Sequence, residues 1–125
     1  MTNGKPAGPV GLRPGSLDLR VVRGDDFRIR LEFFDADDSP LDISGWTLAA
    51  QMRAAYQGPL LATFTIETAT LPDNELNLEL PAAVTGTLGE GVYPWDLQRF
   101  AGGQLVRTML AGVAVVSPDV TEEPA

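Results

Sequence analysis

Along most of this chain, apolar and polar side chains take turns. Leu17, Leu19 and Val21 alternate with Asp18, Arg20 and Val22. Phe27, Ile29, Leu31 and Phe33 alternate with Arg28, Arg30, Glu32 and Phe34. Trp46, Leu48, Ala50 and Met52 are interleaved with Thr47, Ala49, Gln51 and Arg53. Ala62, Phe64 and Ile66 face away from Thr63, Thr65 and Glu67, and Leu76, Leu78 and Leu80 from Asn77 and Glu79. Tyr93, Trp95 and Leu97 form a sixth run, and Leu105–Val116 a seventh. A period of two places successive side chains on opposite faces of a strand, so each run predicts a strand with one buried and one wet face.

The breaks between runs carry turn chemistry. Asp35 to Leu41 reads DADDSPL, Gln57-Gly58-Pro59 interrupts the chain, and Asp73-Asn74 is a turn signal. Ala101-Gly102-Gly103-Gln104 predicts a hairpin connection. Pro81 to Leu88 is the one candidate helix, two turns at most, with Pro81 at its start and Gly86 or Gly89 ending it. In the last run the apolar parity changes from Val106 and Leu110 to Val113 and Val115, which predicts a β-bulge at Ala111-Gly112. Seven short strands with almost no helix predict an all-β fold: an immunoglobulin-like antiparallel β-sandwich, with a barrel as the structural alternative. Trp46 and Trp95 are its expected core anchors.

The ends differ from the body. Residues 1–16 contain three prolines and four glycines, which preclude a regular strand or helix interior and predict an extended N-terminal arm. The sandwich is expected over 17–121, with a short acidic tail over 122–125. Lys5, Arg13, Arg20 and Arg23 against Asp18 give residues 1–24 a charge of +3, whereas five basic and sixteen acidic groups give residues 25–125 a charge of −11. Such asymmetry marks the four basic residues as candidates for holding a negative partner. The first twenty residues have no apolar stretch of the kind a secretory signal needs. The longest apolar run, Met109 to Val116, falls far short of the ~20 residues of a membrane helix.

Composition narrows the chemistry. The 125 residues include no His and no Cys. That excludes disulfides, thiol nucleophiles, Ser-His-Asp triads and His or Cys metal ligands, and it weighs toward binding over catalysis. Carboxylate chemistry survives. Asp35, Asp37, Asp38 and Asp42 cluster as hard-cation ligands do, but a calcium loop starting at Asp35 would need Gly and Glu where Pro40 and Trp46 stand. A solvated acidic loop is the expectation, with no metal. Asp96 and Glu90 are the paired carboxylates to consider for acid-base work. Parity puts Asp96 opposite Trp95 and Leu97, hence exposed and not catalytic. Gly86 to Gly91 lacks the strand-loop-helix setting of a phosphate loop, and Arg23-Gly24-Asp25 reads as a turn before a strand, not an adhesion tripeptide. The body's negative charge disfavours nucleic acid. Most aromatics fall on apolar-parity positions. Phe34, Tyr56 and Phe100 are the exceptions, and they are what a carbohydrate-binding or adhesion module would use.

The order of motifs carries a resemblance. Val22-Arg23-Gly24-Asp25-Asp26-Phe27 leads into a charged strand, followed by Asp35 to Trp46 (DADDSPLDISGW) and the strand after it. Later come Gly91-Val92-Tyr93-Pro94-Trp95-Asp96-Leu97-Gln98, the Gly-Gly hairpin, Leu110 to Val115 and Ser117-Pro118-Asp119-Val120-Thr121. Over residues 20–121 this resembles small immunoglobulin-like virion structural proteins of tailed bacteriophages, among them head decoration and baseplate or tail accessory proteins. The resemblance implies a non-catalytic virion component without cofactors, assembled in the host cytoplasm. Its implied partner is the major capsid protein or another virion protein, without nucleic acid or membrane. The chain would act as a homo-oligomer, a trimer first, with head decoration ahead of baseplate or tail. It transfers no functional residue, because the shared pattern is turn glycines, a strand-start Asp and buried aromatics.

Overall fold

The computed structural model describes residues 15–118. They form nine strands and one helical turn: β1 (Gly15–Ser16), β2 (Leu19–Val22), β3 (Phe27–Glu32), β4 (Thr47–Arg53), β5 (Leu60–Thr63), β6 (Thr65–Glu67), β7 (Glu75–Leu80), α1 (Ala82–Thr85), β8 (Gly91–Ala101) and β9 (Gln104–Ser117). The larger sheet has the order β1-β9-β8-β4-β5, with β2 also on β9, and the smaller has the order β3-β7-β6. The fold is an immunoglobulin-like β-sandwich. The seven expected strands become nine because Gly15–Ser16, expected in the arm, forms a strand of its own and one expected strand is interrupted. The N-terminal run begins as a strand only at Leu19, with Leu17-Asp18 as the break between β1 and β2. The fourth run changes sheets at Phe64, which is buried and donates its backbone N–H to Ala50 O at 2.9 Å.

The alternating apolar residues meet between the sheets. Leu31, Leu76, Leu78, Ala50, Met52 and Leu97 are fully buried, joined by Leu19, Val21, Phe33 and Trp95. Phe64 bridges the aromatic centre, edge-on to Phe27 at 6.0 Å and to Trp95 at 5.9 Å. Offset edge contacts of this kind match the ring quadrupoles better than flat stacking. Trp46 is only partly buried and packs at the margin of this core.

Three expectations need correction. First, the pairing is not wholly antiparallel: β1 and β2 run parallel to β9, with Gly15 opposite Leu110 and Leu19 opposite Ala114. Gly15 and Ser16, assigned to the arm from sequence, lie in this sheet. Second, the bulges do not fall at Ala111-Gly112. The ladder between β8 and β9 shifts at Leu97/Gln98 and at Arg99/Phe100, leaving Met109 and Val106 as extra residues in β9. The buried face is Leu110, Ala114 and Val116, while Val113 and Val115 are only partly covered. Third, Asp96 is half-buried, not exposed. The hairpin after β8 has both central glycines at positive φ, Gly102 at 60° and Gly103 at 79°, a conformation glycine adopts at little cost.

Candidate partner-binding surface

The break between β1 and β2 is a built junction. Leu17 N donates to Ala111 O at 3.1 Å, and Asp18 Oδ1 accepts from Val113 N at 3.1 Å. Between these, the Leu17 carbonyl accepts from Trp95 Nε1 at 2.8 Å. A buried indole N–H needs an acceptor, and here the break between β1 and β2 supplies it. The approach is possible because Gly112 lies opposite Trp95 in the ladder. A Cβ on Gly112 would stand 2.0 Å from Leu17 O and 2.8 Å from Leu17 C. The chain ahead of Gly15 therefore leaves from a fixed point on the edge of the larger sheet.

Of the four basic residues singled out in the sequence, Lys5 and Arg13 lie outside the described residues. Arg20 is exposed on β2, opposite the buried Leu19 and Val21. Arg23, just past the end of that strand, is engaged within the fold, where its Nε donates to Leu88 O at 2.8 Å. Beside it, the buried Thr85 hydroxyl donates to Asp25 O at 2.7 Å and accepts from Gly24 N at 3.0 Å. Arg20 and Arg23 thus share one edge, but Arg23 also locks the turn between β2 and β3 onto the segment after α1.

A groove on the outer face of the larger sheet, lined by apolar residues such as Pro94, Trp95 and Leu105 and studded with polar side chains, had no signal in the sequence. It encloses about 680 Å³ and is walled by Gln51, Arg53, Tyr56, Asp96, Gln98 and Thr108, among others. Gln51 and Asp96 are cross-strand partners, as are Gln98 and Thr108. Arg53 donates to Gln51 Oε1 at 2.9 Å and to Gly58 O at 3.0 Å, and Gln98 Nε2 donates to Asp96 Oδ2 at 3.3 Å. Burial pushes the Asp96 carboxyl above its ordinary value, and the Arg53 guanidinium partly offsets this. Tyr56 stands beside the groove with 84% of its surface exposed. Parity alone places Gln51 and Arg53 on one strand face and Asp96 and Gln98 on another. Only the pairing of β4 with β8 joins them.

The acidic loop closes on itself. Asp35 Oδ1 accepts from the backbone N–H groups of Asp37 and Ser39, and Asp42 Oδ1 accepts from Ser44 N and Oγ. The Ser44 bonds hold the Asp42 carboxyl below its ordinary value. These are turn-forming bonds. Among the described residues, no three acidic side chains gather as metal ligands. No helix among them is long and apolar enough to cross a membrane.

The described residues define a class, the immunoglobulin-like β-sandwiches. No protein-family model matches the chain, and no curated protein matches it in sequence. Solved structures that align with the chain include the N-terminal domain of phage TP901-1 ORF48, at 11% identity and a TM-score of 0.49, covering 91% of this chain and 93% of that one. An internalin-like protein of Listeria monocytogenes aligns at 17% identity and a TM-score of 0.45 over 80% of this chain, which spans 27% of that longer protein. A PKD domain from a human protein aligns at 15% identity and a TM-score of 0.39, over 99% of this chain and 91% of that domain. At these identities none transfers a residue role or a partner.

Proposed function

We propose that this chain is a non-catalytic structural component of a tailed-phage virion. In its most specific form the reading is a head decoration protein that binds the major capsid shell and reaches neighbours with its N-terminal segment. A baseplate or tail accessory role is the nearest alternative. The reading starts from the sequence resemblance over residues 20–121. The structural observation that supports it is the junction at Gly112. The segment carrying Lys5 and Arg13 emerges from a strand held by the Leu17 carbonyl in the core and by parallel pairing to β9. An anchored, basic, Pro/Gly-rich segment can lie extended across a neighbour with few unpaired backbone donors, and its charge suits an acidic surface.

Antibody labelling of whole particles, viewed by electron microscopy, tests the location. Label on the head supports decoration, label on the tail supports the accessory role, and unlabelled particles overturn both. Deleting residues 2–14, which leaves the paired Gly15 in place, tests the arm. Undiminished occupancy on the particle would refute its role.

One observation favours a second reading, a saccharide-binding module. Exposed Tyr56 lines a largely apolar groove that also carries amide, carboxylate and guanidinium groups, the chemistry that stacks on a sugar ring and bonds its hydroxyls. Screening wild type and Tyr56→Ala against immobilised glycans tests it. A glycan bound by the former and lost in the latter supports the module, and no binding by wild type removes it.

A further inference from the structure

The two outward faces of the sandwich differ in chemistry. On the smaller sheet, Arg28 and Arg30 of β3 form ion pairs with Glu79 and Glu75 of β7, and Thr65 of β6 stands opposite Glu79. That is an ordinary solvated sheet face. The larger sheet turns Trp95, Leu97, Leu110, Ala114 and Val116 into the core. Alternation therefore turns Val92, Pro94 and Asp96 of β8 outward, together with Ala111, Val113 and Val115 of β9. The ladder sets Val92 opposite Val115, Pro94 opposite Val113 and Asp96 opposite Ala111. Residues directly opposite each other share a face, so these side chains form one contiguous patch. Val22 extends it along β2, and Val92 and Val22 are 61% and 40% exposed.

The flanks of this patch carry opposite charges. Met52 pairs with Trp95, so Arg53, the next residue of β4, lies level with Pro94. Pro94 is opposite Val113, and the exposed Asp18 stands beside Val113, accepting its N–H at 3.1 Å. Arg53, Pro94, Val113 and Asp18 thus make one row across the sheet, with a cation at one end, a carboxylate at the other and apolar residues between. Such a row is complementary to its own copy. A two-fold axis parallel to the strands, between β8 and β9, lays Val92 of each copy over Val115 of the other and Pro94 over Val113. The same rotation brings Arg53 of each copy to Asp18 of the other.

The face is also large enough. It is five strands wide, about 24 Å at about 4.8 Å per strand, and β8 runs about 36 Å at about 3.3 Å per residue. Tapering to the four residues of β5, it offers roughly 700 Å², close to the roughly 800 Å² that each partner gives to a stable complex. A dry apolar centre with charged groups at its rim is the usual anatomy of such a contact.

We propose that the outer face of the larger sheet, centred on Val92, Pro94, Val113 and Val115, docks on the same face of a second copy of this chain. The contact is isologous, so it closes at a dimer. It goes beyond the virion reading and does not depend on it. It covers Pro94, Asp96 and Ala111 in the groove wall, so it is an alternative to saccharide binding at that face.

Sedimentation velocity on the full chain, together with thiol cross-linking, tests the proposal. Wild type is expected to form dimers at about 10 μM and nothing larger. Val92→Glu puts a carboxylate into the apolar centre and should weaken association by about tenfold or more. Thr65→Glu, exposed on the smaller sheet, should leave it unchanged. The chain has no Cys, so Val92→Cys gives one thiol per molecule. A short bismaleimide should couple Val92→Cys chains into dimers and leave Thr65→Cys chains single. This second readout stands even where Val92→Glu fails to fold. A wild type that stays monomeric at about 100 μM, or that grows past the dimer, overturns the proposal. So does association unchanged by Val92→Glu, or equal coupling of the two cysteine variants.

Discussion

Gly112→Ala isolates the junction that fixes the first strand. Gly112 has no left-handed backbone requirement, so the cost of an added methyl is steric alone. That methyl would stand 2.0 Å from Leu17 O and 2.9 Å from Asp18 Oδ1. Contact with a backbone carbonyl cannot be relieved by a side-chain rotation. Either the whole first strand lifts away or Leu17-Asp18 shifts locally. Lifting β2 would expose Leu19 and Val21, now 2% and 1% exposed, at about 1.5–3 kcal/mol each. A local shift sacrifices the Trp95 Nε1–Leu17 O bond and strains the bonds from Leu17 N and to Asp18 Oδ1. An unsatisfied buried donor costs about 1–3 kcal/mol, and each weakened neighbour about 0.5–1.5 kcal/mol. Lifting β2 would add the exposure of Leu19 and Val21 to these same losses, so the local route is the cheaper one, and it sets the expected loss at about 2–6 kcal/mol.

Urea denaturation followed by tryptophan fluorescence measures this. A loss of that size lowers the melting temperature by roughly 8–24 °C in a domain of this length. Gly89→Ala is the control, since its Cβ would meet only Tyr93 OH at 3.5 Å, an ordinary contact. Trp95→Phe removes the indole donor while keeping an aromatic ring against Phe64. If both substitutions act through the Leu17 carbonyl, the double variant loses less than the sum of the two. A Gly112→Ala variant within about 0.5 kcal/mol of wild type, or strict additivity with Trp95→Phe, would refute the reasoning.

Other consequences follow from the same geometry. Thr85→Val deletes the hydroxyl that joins Gly24 N to Asp25 O, and should cost about 1–3 kcal/mol in urea denaturation, whereas Thr85→Ser should retain most of it. Asp96 has its carboxyl raised by burial, so the folded state binds a proton more readily than the unfolded state. Stability contributed by this group therefore falls as pH rises through the window that opens at 3.8. Asp96→Asn should be the more stable protein at about pH 7, with the advantage shrinking toward about pH 3, and the opposite trend in paired denaturation curves would be evidence against the buried assignment. Titration of calcium into the chain should give no saturable heat, because Asp35 and Asp42 already spend an oxygen each on turn bonds.

The strands were legible because their periodicity is a direct consequence of burial between two sheets. Phe27, Leu31, Leu76, Leu78, Trp95 and Leu97 all point where alternation places them. The one-turn helix after Pro81 and the Gly102-Gly103 hairpin followed from local chemistry in the same way. What alternation could not show is anything decided by a partner distant in sequence. The break at Leu17 exists to satisfy Trp95, 78 residues away. One displaced bulge goes with Met109 and Leu110 being buried in succession, the other with the exposed Val106, and parity shows a slip without fixing its position. The groove and the apolar outer face are likewise products of strand pairing. A sequence shows Val92 and Val115 far apart, and only the register of β8 against β9 makes them neighbours.

Edge chemistry then separates two roles of the N-terminal region. An unpaired strand edge invites association, and this fold covers the edge of β9 with β1 and β2. The edge strand β3 is left with charged Arg28, Arg30 and Glu32 on its wet face, where an approaching strand meets salt-bridged side chains. A truncation therefore means different things according to where it stops. Removal of residues 2–14 leaves every pairing from Gly15 onward intact, so a loss of particle binding without a change in urea midpoint would locate partner contacts ahead of the sheet. Removal through Val22 strips Leu19 and Val21 from the core and uncovers β9. That longer deletion should unfold or aggregate the domain whatever its partner is. An intact, monomeric fold after it would mean that the first strand is dispensable and that the Gly112 junction does not hold the sandwich together.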